Sequence, residues 1–96
     1  MIMVDELRVH PNAWGPFRLG SCHLTCVGDL DELHTFARRI GLRASWFQDH
    51  PLAPHYDLTP LKRAAALRAG ATFVPLRDQL RRRRKTLTAV VRTDKT

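Results

Sequence analysis

Several things are scarce in this chain, and each scarcity excludes something. Two cysteines in 96 residues leave no room for a disulfide framework. Both lie in the run Cys22-His23-Leu24-Thr25-Cys26-Val27, which reads as a strand. Four residues of strand span about 13 Å at ~3.3 Å each, beyond the reach of one disulfide. Cys22 and Cys26 then share a face with Leu24 and are expected to be buried free thiols, which suits a reducing compartment. Long apolar runs are missing, and no window approaches the ~20 residues of a membrane span. Met1-Ile2-Met3-Val4 followed by Asp5-Glu6 is too short and too acidic for a signal peptide, so a cytoplasmic protein is expected. Phosphate-binding glycine loops, paired CxxC motifs, HExxH and the nucleophile elbow are all absent. Acidic residues are few: nine Asp/Glu face sixteen Lys/Arg, for a net charge of +7.

That charge is unevenly spread. Residues 1–76 hold eight Lys/Arg and seven Asp/Glu, whereas residues 77–96 hold eight and two. The body is nearly neutral and the end is cationic. With 44% hydrophobic and 26% charged residues the composition is that of a globular protein. A chain of this length holds one core, burying roughly 60–65% of its unfolded surface. One domain over 1–80 is expected, followed by a poorly ordered basic tail over 81–96.

Asp29 can cap a helix, with Glu32 three residues on to complete a capping box and Gly41 to stop it. Leu30, Leu33, Phe36, Ala37 and Ile40 form its apolar stripe, so the spacing predicts a helix over 29–40. Thr59-Pro60 announces a second helix over 60–69, ended by Gly70. Short apolar runs at Met1–Leu7, Ser21–Val27, Ala44–Gln48, His55–Leu58 and Thr72–Val74 read as strands, while Pro11–Pro16 and Asp49–Pro54 read as loops. A third helix can start at Leu76, but Arg81-Arg82-Arg83-Arg84-Lys85 gives it no apolar stripe to hold it in place. The fold class is α/β: a small sheet of three to five short strands with two or three helices packed on it.

The chemistry concentrates in His55-Tyr56-Asp57. On an extended segment His55 and Asp57 share a face and Tyr56 turns away, so the pair is an oriented imidazole or the start of a metal site. No cofactor is required by the sequence. A metal, if held, would take His55 and Asp57, with His23 or His34 supplying what they lack. Against this stands a structural reading in which the histidines are merely hydrogen-bonded at interfaces. Lys62 and Arg63 occupy the first turn of a helix, where the macrodipole favours acids. Two cations beside unpaired backbone N–H groups suggest an anion site for a phosphate or carboxylate; the competing reading is that Asp57 neutralises one and water the other. Arg81, Arg82, Arg83, Arg84 and Lys85 suit non-specific nucleic-acid contact through phosphates, or simple solubility. Trp14 and Trp46 are expected in core or loop packing, since no aromatics interleave the basic run.

With Cys22-His23-Leu24, Asp31-Glu32-Leu33-His34, His55-Tyr56-Asp57 and Gly70-Ala71 in this order, the chain resembles the bacterial and phage family called domain of unknown function 4031, over most of residues 1–80. The resemblance implies a short N-terminal strand with an aspartate, a His-Leu strand, a helix bearing Glu-Leu-His and a His-Tyr-Asp segment before a helix ending Gly-Ala. It marks Asp5, His23, His34, His55, Tyr56 and Asp57, and implies no activity. Some members lack the Lys-Arg pair after His-Tyr-Asp.

Two function classes are open. One is an intracellular binding module for a phosphate-bearing ligand, nucleotide or nucleic acid, using Lys62 and Arg63. The other is a small hydrolase-like enzyme, metal-dependent or not, using His23, His34, His55, Tyr56 and Asp57. The second predicts that His23, His34, His55 and Asp57 converge on one concave site beside the second helix.

Overall fold

A computed structural model describes residues 1–82 apart from Pro11, Trp14 and Leu52. Five strands, β1 (Ile2–Val4), β2 (Cys22–Cys26), β3 (Phe47–Gln48), β4 (His55–Leu58) and β5 (Thr72–Phe73), form one sheet in the order β3-β4-β2-β1-β5. Only the β1–β5 pair is parallel; β1–β2, β2–β4 and β3–β4 are antiparallel. Helices α1 (Leu30–Arg39) and α2 (Pro60–Arg68) lie where the caps and stripes predict them. A third helix, α3, begins at 76 and is described as far as 82. The expected loss of order concerns mainly residues 83–96, Arg83, Arg84 and Lys85 among them, which lie outside the described residues; Arg81 and Arg82 are helical.

Alternation on the strands divides the sheet into two faces. Ile2, Val4, Cys22, Leu24, Tyr56 and Leu58 point to one, where they meet Leu33, Phe36, Ala37 and Ile40 of the α1 region and Ala66 of α2 in the main core. Met3, His23, Thr25, His55 and Asp57 hold the intervening strand positions and so point to the other. That second face is covered only in part, by α3, whose Gln79 is 2% exposed. Three hydrogen bonds dock α3: Glu6 accepts from the Leu76 N–H at 2.8 Å, Gln79 Nε2 donates to the Val74 carbonyl at 2.9 Å, and Thr25 Oγ1 donates to Gln79 Oε1 at 3.0 Å.

Several expectations need correction. Ala44–Trp46 is a 3-10 turn, and only Phe47–Gln48 is strand; Ala and Ser favour a strand poorly and the Trp46 N–H closes onto the Arg43 carbonyl. The strand read over Met1–Leu7 pairs only through Val4, with one isolated bridge from Arg8 to Ser21. Gly15–Leu19, read partly as loop, is a 3-10 turn. Leu30 is 40% exposed and adds little to the α1 stripe. Asp29 caps α1 through the Asp31 N–H, but Glu32 does not return the bond; its carboxylate lies 3.5 Å from Cys26 Sγ. Trp46 is exposed with Arg43 stacked 5.7 Å from its ring, and Trp14 lies outside the described residues.

Candidate metal centre

The antiparallel register of β2 and β4 sets His23 directly opposite Asp57, and that of β3 and β4 sets Gln48 opposite His55. Side chains of directly opposed residues and their diagonal neighbours come within contact of one another. His23, His55 and Asp57 therefore cluster on the second face, and one ligand atom from each lies within 4.8 Å of the others. The His23 and His55 rings stand edge to face with centroids 4.9 Å apart, and His55 Nε2 is 3.5 Å from Asp57 Oδ1.

Each member of the cluster is held from behind. Asp5, just past β1 and only 2% exposed, accepts the His23 main-chain N–H at 2.7 Å through Oδ1 and bonds the ring Nδ1 at 2.7 Å through Oδ2. His55 Nδ1 donates to the Ala53 carbonyl at 2.7 Å. Gln48 Nε2 donates to Asp57 Oδ2 at 3.0 Å. Both imidazoles thus commit Nδ1 elsewhere and keep Nε2 for the cluster, and Asp57 keeps Oδ1. The bond to Asp5 raises the pKa of His23 above its ordinary value of 6.5, against the opposing effect of burial.

The two histidines of the cluster line a cavity of ≈ 170 Å³ together with Thr25, His50, Ala53, Leu76 and Gln79. His50 comes from the 49–54 segment, which closes on itself through His50 N–H to the Gln48 carbonyl at 2.9 Å. Sequence spacing singled out neither Gln48 nor His50, because both depend on where that segment folds back.

His34 and Tyr56 do not join this site. Tyr56 alternates to the core face, where it is 1% exposed, and its hydroxyl is 2.7 Å from His34 Nδ1. Phe47 completes that group, its ring 4.6 Å from His34 and 5.4 Å from Tyr56. Burial pushes the Tyr56 phenol above its ordinary value. The expected convergence of His34 with the others fails because α1 packs on the opposite face of the sheet. Lys62 and Arg63 also part company: Lys62 Nζ donates to the Ile40 carbonyl at 2.7 Å, capping the end of α1, and Arg63 Nε donates to the Asp5 carbonyl at 3.0 Å. Carbonyls on other elements account for cations in the first turn of α2. Thr59 Oγ1 takes the Lys62 N–H at 3.2 Å.

Cys22 and Cys26 are free thiols, Cys22 buried and Cys26 half-buried. No helix among the described residues is long and apolar enough to cross a membrane.

A family model for a protein of unknown function, DUF4031, matches residues 2–86. The chain belongs to the DUF4031 family. Within this DUF4031 chain the match spans every residue of the cluster and of its supporting shell, from Asp5 to Asp57. No curated protein and no solved structure matches it.

Proposed function

We propose that His23, His55 and Asp57 form a divalent-metal centre, and that this DUF4031 protein is a small metal-dependent hydrolase-like enzyme. The observation that carries the reading is the supporting shell: Asp5, the Ala53 carbonyl and Gln48 each fix one ligand and direct its remaining atom inward. Such outer partners set tautomer and orientation in metal sites, and here they leave one ligand atom from each of two histidines and one aspartate within 4.8 Å of the others.

The dimensions fit. Metal–ligand bonds of about 2.0–2.1 Å at tetrahedral angles put ligand atoms about 3.4 Å apart. The His55–Asp57 separation is 3.5 Å and no separation in the set exceeds 4.8 Å, so shifts of about 1 Å complete the geometry. Two imidazoles and a carboxylate suit zinc and its neighbours. Three protein ligands would leave one position open for water, and the two histidines of the set line the cavity. A metal held this way supplies a polarising charge and a water acidified toward neutral pH. The protein's part is to orient His23 through Asp5, hold Asp57 through Gln48, and keep one side of the site dry with Leu76 and Ala53.

The other reading, a module gripping a phosphate with Lys62 and Arg63, has less support, since both head groups bond to main-chain carbonyls. Cobalt(II) titration tests the proposal. A tetrahedral absorption band that saturates at one equivalent and is lost in His55→Ala supports it; a featureless titration contradicts it.

A further inference from the structure

The pairing of β1 with β2 changes register immediately beyond β1. Ile2, Met3 and Val4 stand opposite Cys26, Thr25 and Leu24, but Arg8 stands opposite Ser21. Asp5, Glu6 and Leu7 therefore face only Cys22 and His23, three residues against two, which is the count of a β-bulge. Antiparallel pairs alternate between those that exchange main-chain hydrogen bonds and those that do not. The Val27 N–H donates to the Met1 carbonyl at 3.1 Å, so the alternation makes Met3–Thr25 and then Asp5–His23 bonded pairs as well. At Asp5–His23 the expected bond is replaced: the His23 N–H goes to the Asp5 side chain, Oδ1 at 2.7 Å, and the Asp5 main-chain carbonyl accepts from Arg63 Nε at 3.0 Å. Arg63 comes from the first turn of α2, and its guanidinium lies over the Phe73 ring of β5, 5.5 Å from the centroid.

From this exchange we infer that Arg63 is a positioning residue for the metal centre: by holding the Asp5 carbonyl it leaves the His23 N–H to the Asp5 carboxylate, whose second oxygen then orients the His23 ring. The inference rests on the metal-centre reading. Both carboxylate oxygens are engaged at once, Oδ1 on the main chain and Oδ2 on Nδ1 at 2.7 Å, so the ring keeps its orientation only while the carboxylate stays in that place on the ladder. A main-chain carbonyl could serve the His23 N–H in the ordinary way. A guanidinium N–H is a charged donor and makes a bond roughly twice as strong as a neutral one, which favours the Asp5 carbonyl on Arg63 over its return to the ladder. Bulges beside functional sites re-aim side chains in this manner. The influence of α2, which packs on the core face, thus reaches the second face through the main chain of one residue.

The test compares the full chain with Arg63→Met, which keeps an apolar stem and has no donor, Arg63→Lys, which keeps a donor, and Phe73→Leu, which removes only the ring. Zinc affinity should fall about 10–100-fold in Arg63→Met, the loss expected when an outer partner fails. It should recover at least in part in Arg63→Lys and stay at the parent's value in Phe73→Leu. Nitrogen NMR of the metal-free proteins gives a readout that a merely structural arginine would not move: neutral His23 should carry its proton on Nδ1 in the parent and shift it toward Nε2 in Arg63→Met. Arg63→Met should still fold, because the Asp5 carbonyl can return to the ladder. Parent-like zinc affinity in Arg63→Met, an unchanged His23 tautomer, or a variant that no longer folds overturns the inference, while zinc uptake by the parent leaves the metal centre standing. A parent that takes up no zinc overturns the metal centre itself, and the inference with it.

Discussion

Asp5 and His23 meet through two 2.7 Å hydrogen bonds, one to the main-chain N–H of the histidine and one to its ring Nδ1. One buried carboxylate thus secures both the strand and the orientation of the side chain that the strand carries.

Replacing that carboxylate by an amide separates the two duties. In Asp5→Asn the remaining oxygen still accepts the main-chain N–H, but the amide N–H₂ offers the ring a donor, and Nδ1 must become the acceptor. The proton then moves to Nε2, the atom needed for the metal. Loss of an outer partner typically costs 10–100-fold in metal affinity, so zinc titration of Asp5→Asn should show a drop of about that size with the fold retained. Asp5→Ala removes both bonds and should lower stability as well, by about 2–4 kcal/mol in denaturant titration.

Gln48 holds Asp57 from an exposed position. Gln48→Ala should therefore weaken zinc binding by about tenfold while shifting stability by less than about 0.5 kcal/mol. Equal metal affinity in parent and variant would remove Gln48 from the supporting shell.

The His34–Tyr56 pair should behave in the opposite way. Tyr56→Phe leaves half-buried His34 without its partner and should cost about 1 kcal/mol of stability. Zinc affinity should be unchanged, because the pair lies on the other face of the sheet. A large fall in affinity would mean that the two faces communicate through β4.

Burial pushes the Cys22 thiol up from its ordinary 9.0 to about 12. Below pH 9 the thiol is neutral in folded and unfolded chains alike, and its contribution to stability is fully present. Between about 9 and 12 only the unfolded chain ionises, so stability should fall as pH rises through that window, and Cys22→Ala should lack this component of the fall. In the native protein iodoacetamide should label Cys26 first, with Cys22 protected until denaturant is added.

Much of this was legible in the residues. The caps at Asp29 and Thr59 and the stripe from Leu33 to Ile40 predict two helices whose observed ends differ by a residue, because capping and periodicity are local. Alternation likewise predicts that His55 and Asp57 share a face and that Tyr56 leaves it. Pairing of His23 with Asp57 is a matter of register between strands 29 residues or more apart, and nothing local encodes it. The separation of His34 from the cluster has the same origin: its position on the edge of a stripe is readable, but the face of the sheet that α1 covers is not. Gln48 was hidden inside a run that looked like one strand and divides at Trp46 into a turn and a strand. Lys62 and Arg63 were visible as misfits to the helix dipole, yet the carbonyls that explain them belong to Ile40 and Asp5, distant in sequence.

The most direct measurement of the central claim is calorimetric titration of the metal-stripped protein with zinc, in parallel with His23→Ala, His55→Ala, Asp57→Ala and His34→Ala. One equivalent should bind to the parent and to His34→Ala, with affinity lost in each of the other three. Zinc that fails to bind the parent, or that binds all five alike, would contradict a metal centre at His23, His55 and Asp57.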